Sequence, residues 1–188
     1  MFTPTTVEIL SLFKTFGHIE YGERVTQSSH AVQAGLLARE KEYDNELIIA
    51  AFLHDIGHLY PLAVKDANFS TMGDLGMEAH DKWGEQFLRE RSFSKRIIAT
   101  VRNHVDAKRY LCLVEAGYYE QLSEASKETL RYQGGPMDVK EAAVFTATPF
   151  FEDSIRIRRI DEEAKEQNFI IEKAHWNYFG NLLDQLKD

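Results

Sequence analysis

The segment ELIIAAFLHDIGH, residues 46–58, decides how the rest of the chain is read. From Leu47 to Leu53 it is an unbroken apolar run without a charge, and a helix that is hydrophobic on most sides belongs at the centre of a domain. The run is far short of the roughly 20 residues that a membrane span needs. It therefore predicts a buried helix over residues 46–57, with Gly57 helping to end it. His54 and Asp55 close that helix. An unpaired carboxylate there would cost on the order of several kcal/mol in desolvation, which a metal cation would compensate. Imidazole nitrogen and carboxylate oxygen suit iron, zinc or manganese, and a carboxylate can also bridge two metals. His58 follows His54 by one helical turn and falls near the same face; the competing structural reading is a histidine favoured at a helix C-terminus by the macrodipole.

Outward from this segment, apolar residues recur at three- and four-residue spacing, and strict alternation is nearly absent. That pattern predicts an all-α fold. Val7, Leu10 and Phe13 mark one face of a first helix that starts near Pro4 and ends at Gly17, and a second helix covers residues 28–41. Residues 60–76, with Pro61, Gly73 and Gly76, read as a loop. Helices over 77–90, 94–106 and 123–132 follow. Gly134, Gly135 and Pro136 then break the chain, Asp138 caps the next helix, and residues 150–167 and 170–187 form the last two.

The chain has 188 residues, 22 Lys and Arg against 30 Asp and Glu, and a net charge of -8. That length predicts one helical domain over residues 1–188. Its single cysteine, Cys112, cannot form an internal bridge and reads as a small buried hydrophobe. An acidic surface argues against broad nucleic-acid contact, which depends on basic side chains, so an anionic ligand must meet a local cationic pocket. With no membrane-spanning run and no cleavable leader pattern at the start, the expected location is the cytoplasm. Oligomeric state is left open.

The histidines stand at 18, 30, 54, 58, 80, 104 and 175. With AFLHDIGH at its centre, the sequence resembles the HD-domain superfamily, whose pattern is an upstream histidine, a His-Asp doublet and a distant aspartate. The resemblance implies a helical bundle in which His30, His54, Asp55 and Asp161 hold one metal. His80 and His104 match the further histidines of dinuclear members, in which Asp55 would bridge to a second metal.

Three further segments carry a narrower resemblance: RNHVDAKRYL (102–111), YYEQLSEASKETLRYQGG (118–135) and RRIDEEAK (158–165). They are similar to the PhnZ-like HD-domain mixed-valent diiron oxygenases of organophosphonate catabolism, over about three quarters of the chain. These enzymes cleave the carbon–phosphorus bond of 1-hydroxyphosphonates. The resemblance implies two irons, Fe(II) and Fe(III), with O2 as co-substrate and no flavin, nicotinamide or heme. It further implies that His58, Lys108, Ser126, Gln133 and Arg158 surround the phosphonate, whose three oxygens accept from such donors. Tyr21 and Glu23, in HIEYGERVTQSSH (18–30), would gate the open iron and meet the substrate's amine. The implied reaction converts 2-amino-1-hydroxyethylphosphonate, or its N-trimethyl analogue, to phosphate and glycine or glycine betaine. Two rivals keep the same ligands: a dinuclear HD phosphohydrolase that consumes no oxygen, and a regulatory module that has lost catalysis.

Overall fold

Asp44 opens the central helix by accepting the Leu47 amide at 3.1 Å, which satisfies one of the free N–H groups of the first turn. The computed structural model describes residues 1–22, 24–64 and 68–186. Among these, the chain runs through α1 (Pro4–Phe16), α2 (Gln27–Glu40), α3 (Asn45–Leu53), the short α4 (Tyr60–Ala63), α5 (His80–Glu90) and α6 (Lys95–Val114). It continues through the short α7 (Tyr118–Gln121), α8 (Glu124–Tyr132), α9 (Val139–Thr146), α10 (Phe151–Glu163) and α11 (Lys173–Gln185). The described residues contain two isolated β-bridges and no strand, so the fold is all-α. No helix is long and apolar enough to cross a membrane among the described residues.

The central apolar run does what its composition predicts. Every residue from Leu47 to Leu53 is buried, and α3 packs against α2, α6, α10 and α11. One continuous core joins Ile9 and Phe13 of α1, Phe52 of α3, Phe87 of α5, Ile157 of α10 and Phe179 of α11. Phe52 and Phe179 stack with ring centroids 4.2 Å apart. Thr3, Thr26, Ser94, Ser123 and Asp138 cap the helices that follow them.

Several boundaries differ from the sequence reading, each for a local reason. The central helix ends at Leu53, because Asp55 (φ -103, ψ 11) leaves helical geometry and starts a 3-10 turn over Ile56–His58. Gly57 lies inside that turn and matters for packing instead. A Cβ there would lie 1.8 Å from the carbonyl oxygen of His80, so the glycine lets α5 approach the turn that follows the His-Asp doublet. In α1 the buried face is Thr6, Ile9, Leu12 and Phe13, while Val7 is half exposed. Residues 60–76 are not all loop, since α4 and a 3-10 turn over Gly73–Leu75 lie within them. The helix after Ser94 runs on to Val114, eight residues past the expected end, carried by Ala107 and Leu111 facing neighbouring helices. The helix expected over 150–167 stops at Glu163. Cys112 is only half buried, against Leu111 and Tyr118.

Candidate metal centre and anion cleft

Six acid and imidazole side chains from five parts of the fold meet in one place. α2 brings His30, the end of α3 brings His54 and Asp55, α5 starts at His80, α6 carries His104 and α10 carries Asp161. All four histidines are at least nine-tenths buried. They form two pairs: His30 Nε2 lies 3.0 Å from His54 Nε2, and His80 Nε2 lies 3.0 Å from His104 Nε2. Asp55 stands between the pairs. Its Oδ2 is 3.6 Å from His30 Nε2 and 3.5 Å from His54 Nε2; its Oδ1 is 3.6 Å from His80 Nε2 and 3.5 Å from His104 Nε2. Asp161 Oδ1 lies 3.2 Å from His30 Nε2 and 3.8 Å from His54 Nε2.

Tautomers decide whether this arrangement suits a cation. His30 Nδ1 lies 2.8 Å from the Ala164 carbonyl, His54 Nδ1 2.7 Å from Ala51 and His104 Nδ1 2.6 Å from Val101. A carbonyl can only accept, so each Nδ1 carries hydrogen and each neutral ring turns an Nε2 lone pair inward. Two facing lone pairs 3.0 Å apart, as in His30 and His54, require a cation or a proton between them. Without metal, a proton serves. Burial opposes a charge on His54, but Asp55 and Asp161 outweigh it and raise its pKa to about 9. Metal uptake below that pH must displace the proton. Burial and the neighbouring His80 lower His104 to about 3, so it stays neutral and ready to donate its lone pair. His30, His54 and Asp161 could hold one ion, their ligand atoms lying within 4.8 Å of one another.

Asp55, His58 and His80 form a second group of the same tightness, yet His58 is suited to donating a hydrogen bond rather than a lone pair. Its Nδ1 accepts the Met77 amide at 2.9 Å, which leaves the hydrogen on Nε2 of the neutral ring. Burial first, and then His80, keep its pKa well below the usual histidine range. A neutral ring with Nε2–H is a hydrogen-bond donor. The ring stacks on His80 at 4.0 Å and meets Tyr21 at 4.8 Å, centroid to centroid.

These residues floor a small cleft of about 80 Å³. Lys108, one turn beyond His104 on α6, lies in it with Ser126, Thr129, Gln133, Arg158 and Lys165. Lys108 is 4% exposed and donates to Thr129 Oγ1 at 2.9 Å. Burial, with Arg158 close by, lowers its pKa to about 7. Arg158 is 3% exposed and donates through Nη1 to Asp161, but its Nη2 is buried without a partner, as is Gln133 Oε1. Val25, Met72, Leu75 and Ala125 line the same cleft as an apolar wall.

All the expected site residues within the described chain thus converge here, while Glu23 lies outside the described residues. Sequence reading missed Thr129, which sits one turn after Ser126 on α8, a spacing that could have suggested it. It also missed Tyr118 and Glu162 around Arg158; nothing in the local pattern distinguishes Tyr118 from an ordinary core aromatic.

Comparison with known proteins agrees with this geometry. The HD domain family profile matches residues 28–145. The chain is 35% identical over 178 residues to the [1-hydroxy-2-(trimethylamino)ethyl]phosphonate dioxygenase (glycine-betaine-forming) of Leisingera caerulea, covering 94% of this chain and 87% of that one. It is 38% identical over 157 residues to the hydroxymethylphosphonate dioxygenase of Gimesia maris, covering 84% and 76%. An uncharacterised protein of Acanthamoeba polyphaga mimivirus is 38% identical over 176 residues, covering 93% and 78%. The chain belongs to the HD-domain family, in the group that includes these phosphonate dioxygenases.

Proposed function

We propose that this protein is an iron-dependent oxygenase that cleaves the C–P bond of a 1-hydroxyphosphonate with O2. The observation that carries the reading is the Asp55 carboxylate, which turns one oxygen to each of two histidine pairs. In this reading His30, His54, Asp55 and Asp161 hold one iron, and Asp55, His80 and His104 hold the other. When bound, such a pair supplies Lewis-acid polarisation of the substrate's hydroxyl and the electrons that activate O2. The overall sum balances: 2-amino-1-hydroxyethylphosphonate and one O2 give glycine and orthophosphate.

The chain's own residues position the substrate. Lys108 supplies the positive charge for the phosphonate, and Arg158 Nη2, Ser126 and the Gln133 amide supply directed hydrogen bonds. His58 donates through Nε2–H. Holding the reacting carbon beside the metals converts a bimolecular encounter into a unimolecular step. Tyr21 covers the His58 side of the cleft; burial, and then the Asp55 charge, raise its pKa, so its hydroxyl remains a donor.

The relatives' names give two substrate ends, a trimethylamino group and no amine at all. The apolar wall of Val25, Met72, Leu75 and Ala125, with the Tyr21 ring, favours the methylated end, since a quaternary ammonium binds through aromatic faces and apolar contact rather than hydrogen bonds. The N-trimethyl substrate is therefore expected to show a kcat/KM at least equal to that of 2-amino-1-hydroxyethylphosphonate, with phosphate release strictly dependent on O2 and two irons per chain by metal analysis. A higher kcat/KM for the primary amine would retire the methylated preference alone. Phosphate release from a phosphate ester without O2 would replace the oxygenase by a phosphohydrolase.

Lys108 yields a prediction in which stability and activity move in opposite directions. Its pKa falls from 10.5 to about 7 on folding, so the folded state binds fewer protons than the unfolded one between those values, and stability rises with pH across that window. The penalty is full below pH 7 and gone above 10.5. Lys108→Met is expected to raise Tm at pH 7 by about 4 °C or more, to raise it far less near pH 10, and to weaken phosphonate binding. An unchanged KM would remove Lys108 from the phosphonate site.

A further inference from the structure

Gly117, with φ 82, turns the chain after α6 so that α7 begins on Tyr118. The Tyr118 ring is 2% exposed among Leu111, Leu122 and Leu130. Its hydroxyl leaves that cluster and reaches α10, where it donates to Glu162 Oε1 and accepts from Arg158 Nε at 3.0 Å. Arg158 Nε is also 2.9 Å from Glu162 Oε1, and Arg158 Nη1 donates to Asp161. Burial raises the Tyr118 hydroxyl above the usual phenol range, so it keeps the proton it gives to Glu162.

Of the three guanidinium nitrogens, two are thus engaged, and Nη2 is buried without a partner in a residue that lines the cleft. A guanidinium is planar, so fixing Nε and Nη1 also fixes the direction of Nη2. Asp161 and Glu162 already balance the Arg158 charge. What Arg158 can offer an anion is therefore direction, and direction depends on what holds the other two nitrogens.

We propose that Tyr118 and Glu162 are positioning residues: they grip the back of the Arg158 guanidinium and aim its Nη2 at a tetrahedral oxyanion in the cleft. This rests on the reading of the cleft as a phosphonate site. Because Arg158 also touches Asp161, the grip links the anion position to the metal position through one rigid group.

The test uses the metal-loaded enzyme and inorganic phosphate as probe. Tyr118→Phe is expected to weaken phosphate binding, measured by calorimetry, by about tenfold, the loss of one hydrogen bond to a charged group. It should raise KM for the hydroxyphosphonate similarly while kcat falls less, with bound metal unchanged. Glu162→Gln, which keeps an acceptor but loses the charge, should shift phosphate affinity in the same direction. Arg158→Lys removes the planar fork, so adding Tyr118→Phe to it should change phosphate affinity by less than about twofold. Unchanged phosphate affinity in Tyr118→Phe, or a full additive loss in the Arg158→Lys background, would overturn the proposal. If no hydroxyphosphonate turns over, the oxygenase reading fails while phosphate affinity still reads the grip. Turnover with unaltered phosphate affinity defeats the grip and leaves the reaction standing.

Discussion

Asp55→Ala is expected to leave the protein without metal at either histidine pair and to lower turnover by more than about 100-fold, the upper figure for losing an outer partner of a metal ligand. The reason lies in its two oxygens, each 3.5–3.6 Å from a different pair of Nε2 atoms. No other carboxylate reaches both pairs among the described residues, because Asp161 approaches only His30 and His54. His104→Ala should act differently, depleting the second position while His30, His54, Asp161 and the intact Asp55 still offer four donors to the first. Metal analysis of anaerobically prepared protein checks both. Retention of two metals by Asp55→Ala would show that the carboxylate does not bridge.

Arg158→Ala is expected to be the most destabilising substitution in the cleft, at about 3–5 kcal/mol in the metal-free protein, the usual cost of breaking a buried charge network by deleting one partner. Asp161, Glu162 and the Tyr118 hydroxyl all lose their common partner. At roughly 2–4 °C per kcal/mol for a chain of this length, Tm should fall by about 10 °C. Metal should restore part of that loss, since a cation on Asp161 replaces the guanidinium charge. The contrast with Lys108→Met is the informative one: both are buried cations in one cleft, but Lys108 has a hydroxyl for its partner and Arg158 has two carboxylates. Melting curves with and without metal decide it; an equal loss in both states would mean that Asp161 is not shared with a metal.

How much of the fold and the site is legible in the sequence follows from the range of the forces involved. Helical periodicity is a local property, and the uninterrupted run from Leu47 to Leu53 is enough to place α3 at the centre. The ordered histidines and aspartates are legible because ligand chemistry restricts residue type, and a metal site tolerates few alternatives. Helix ends are read less well. The stop after Leu53 and the extension of α6 to Val114 depend on what neighbouring helices touch, which no local window contains.

By itself, then, the sequence determined the helical class, the buried centre and which histidines and aspartates come together, since each is written in residue type and spacing. Tertiary structure alone decided how the donors are divided. It put one Asp55 oxygen on each histidine pair, turned Nε2 inward by binding Nδ1 to the carbonyls of Ala164, Ala51 and Val101, and gave His58 the opposite tautomer through the Met77 amide. It also drew Tyr118 across to Arg158, 40 positions away in the chain. The physical reason is that a tautomer or a guanidinium's direction is set by single hydrogen bonds between atoms distant in sequence, and such bonds exist only once the helices have packed.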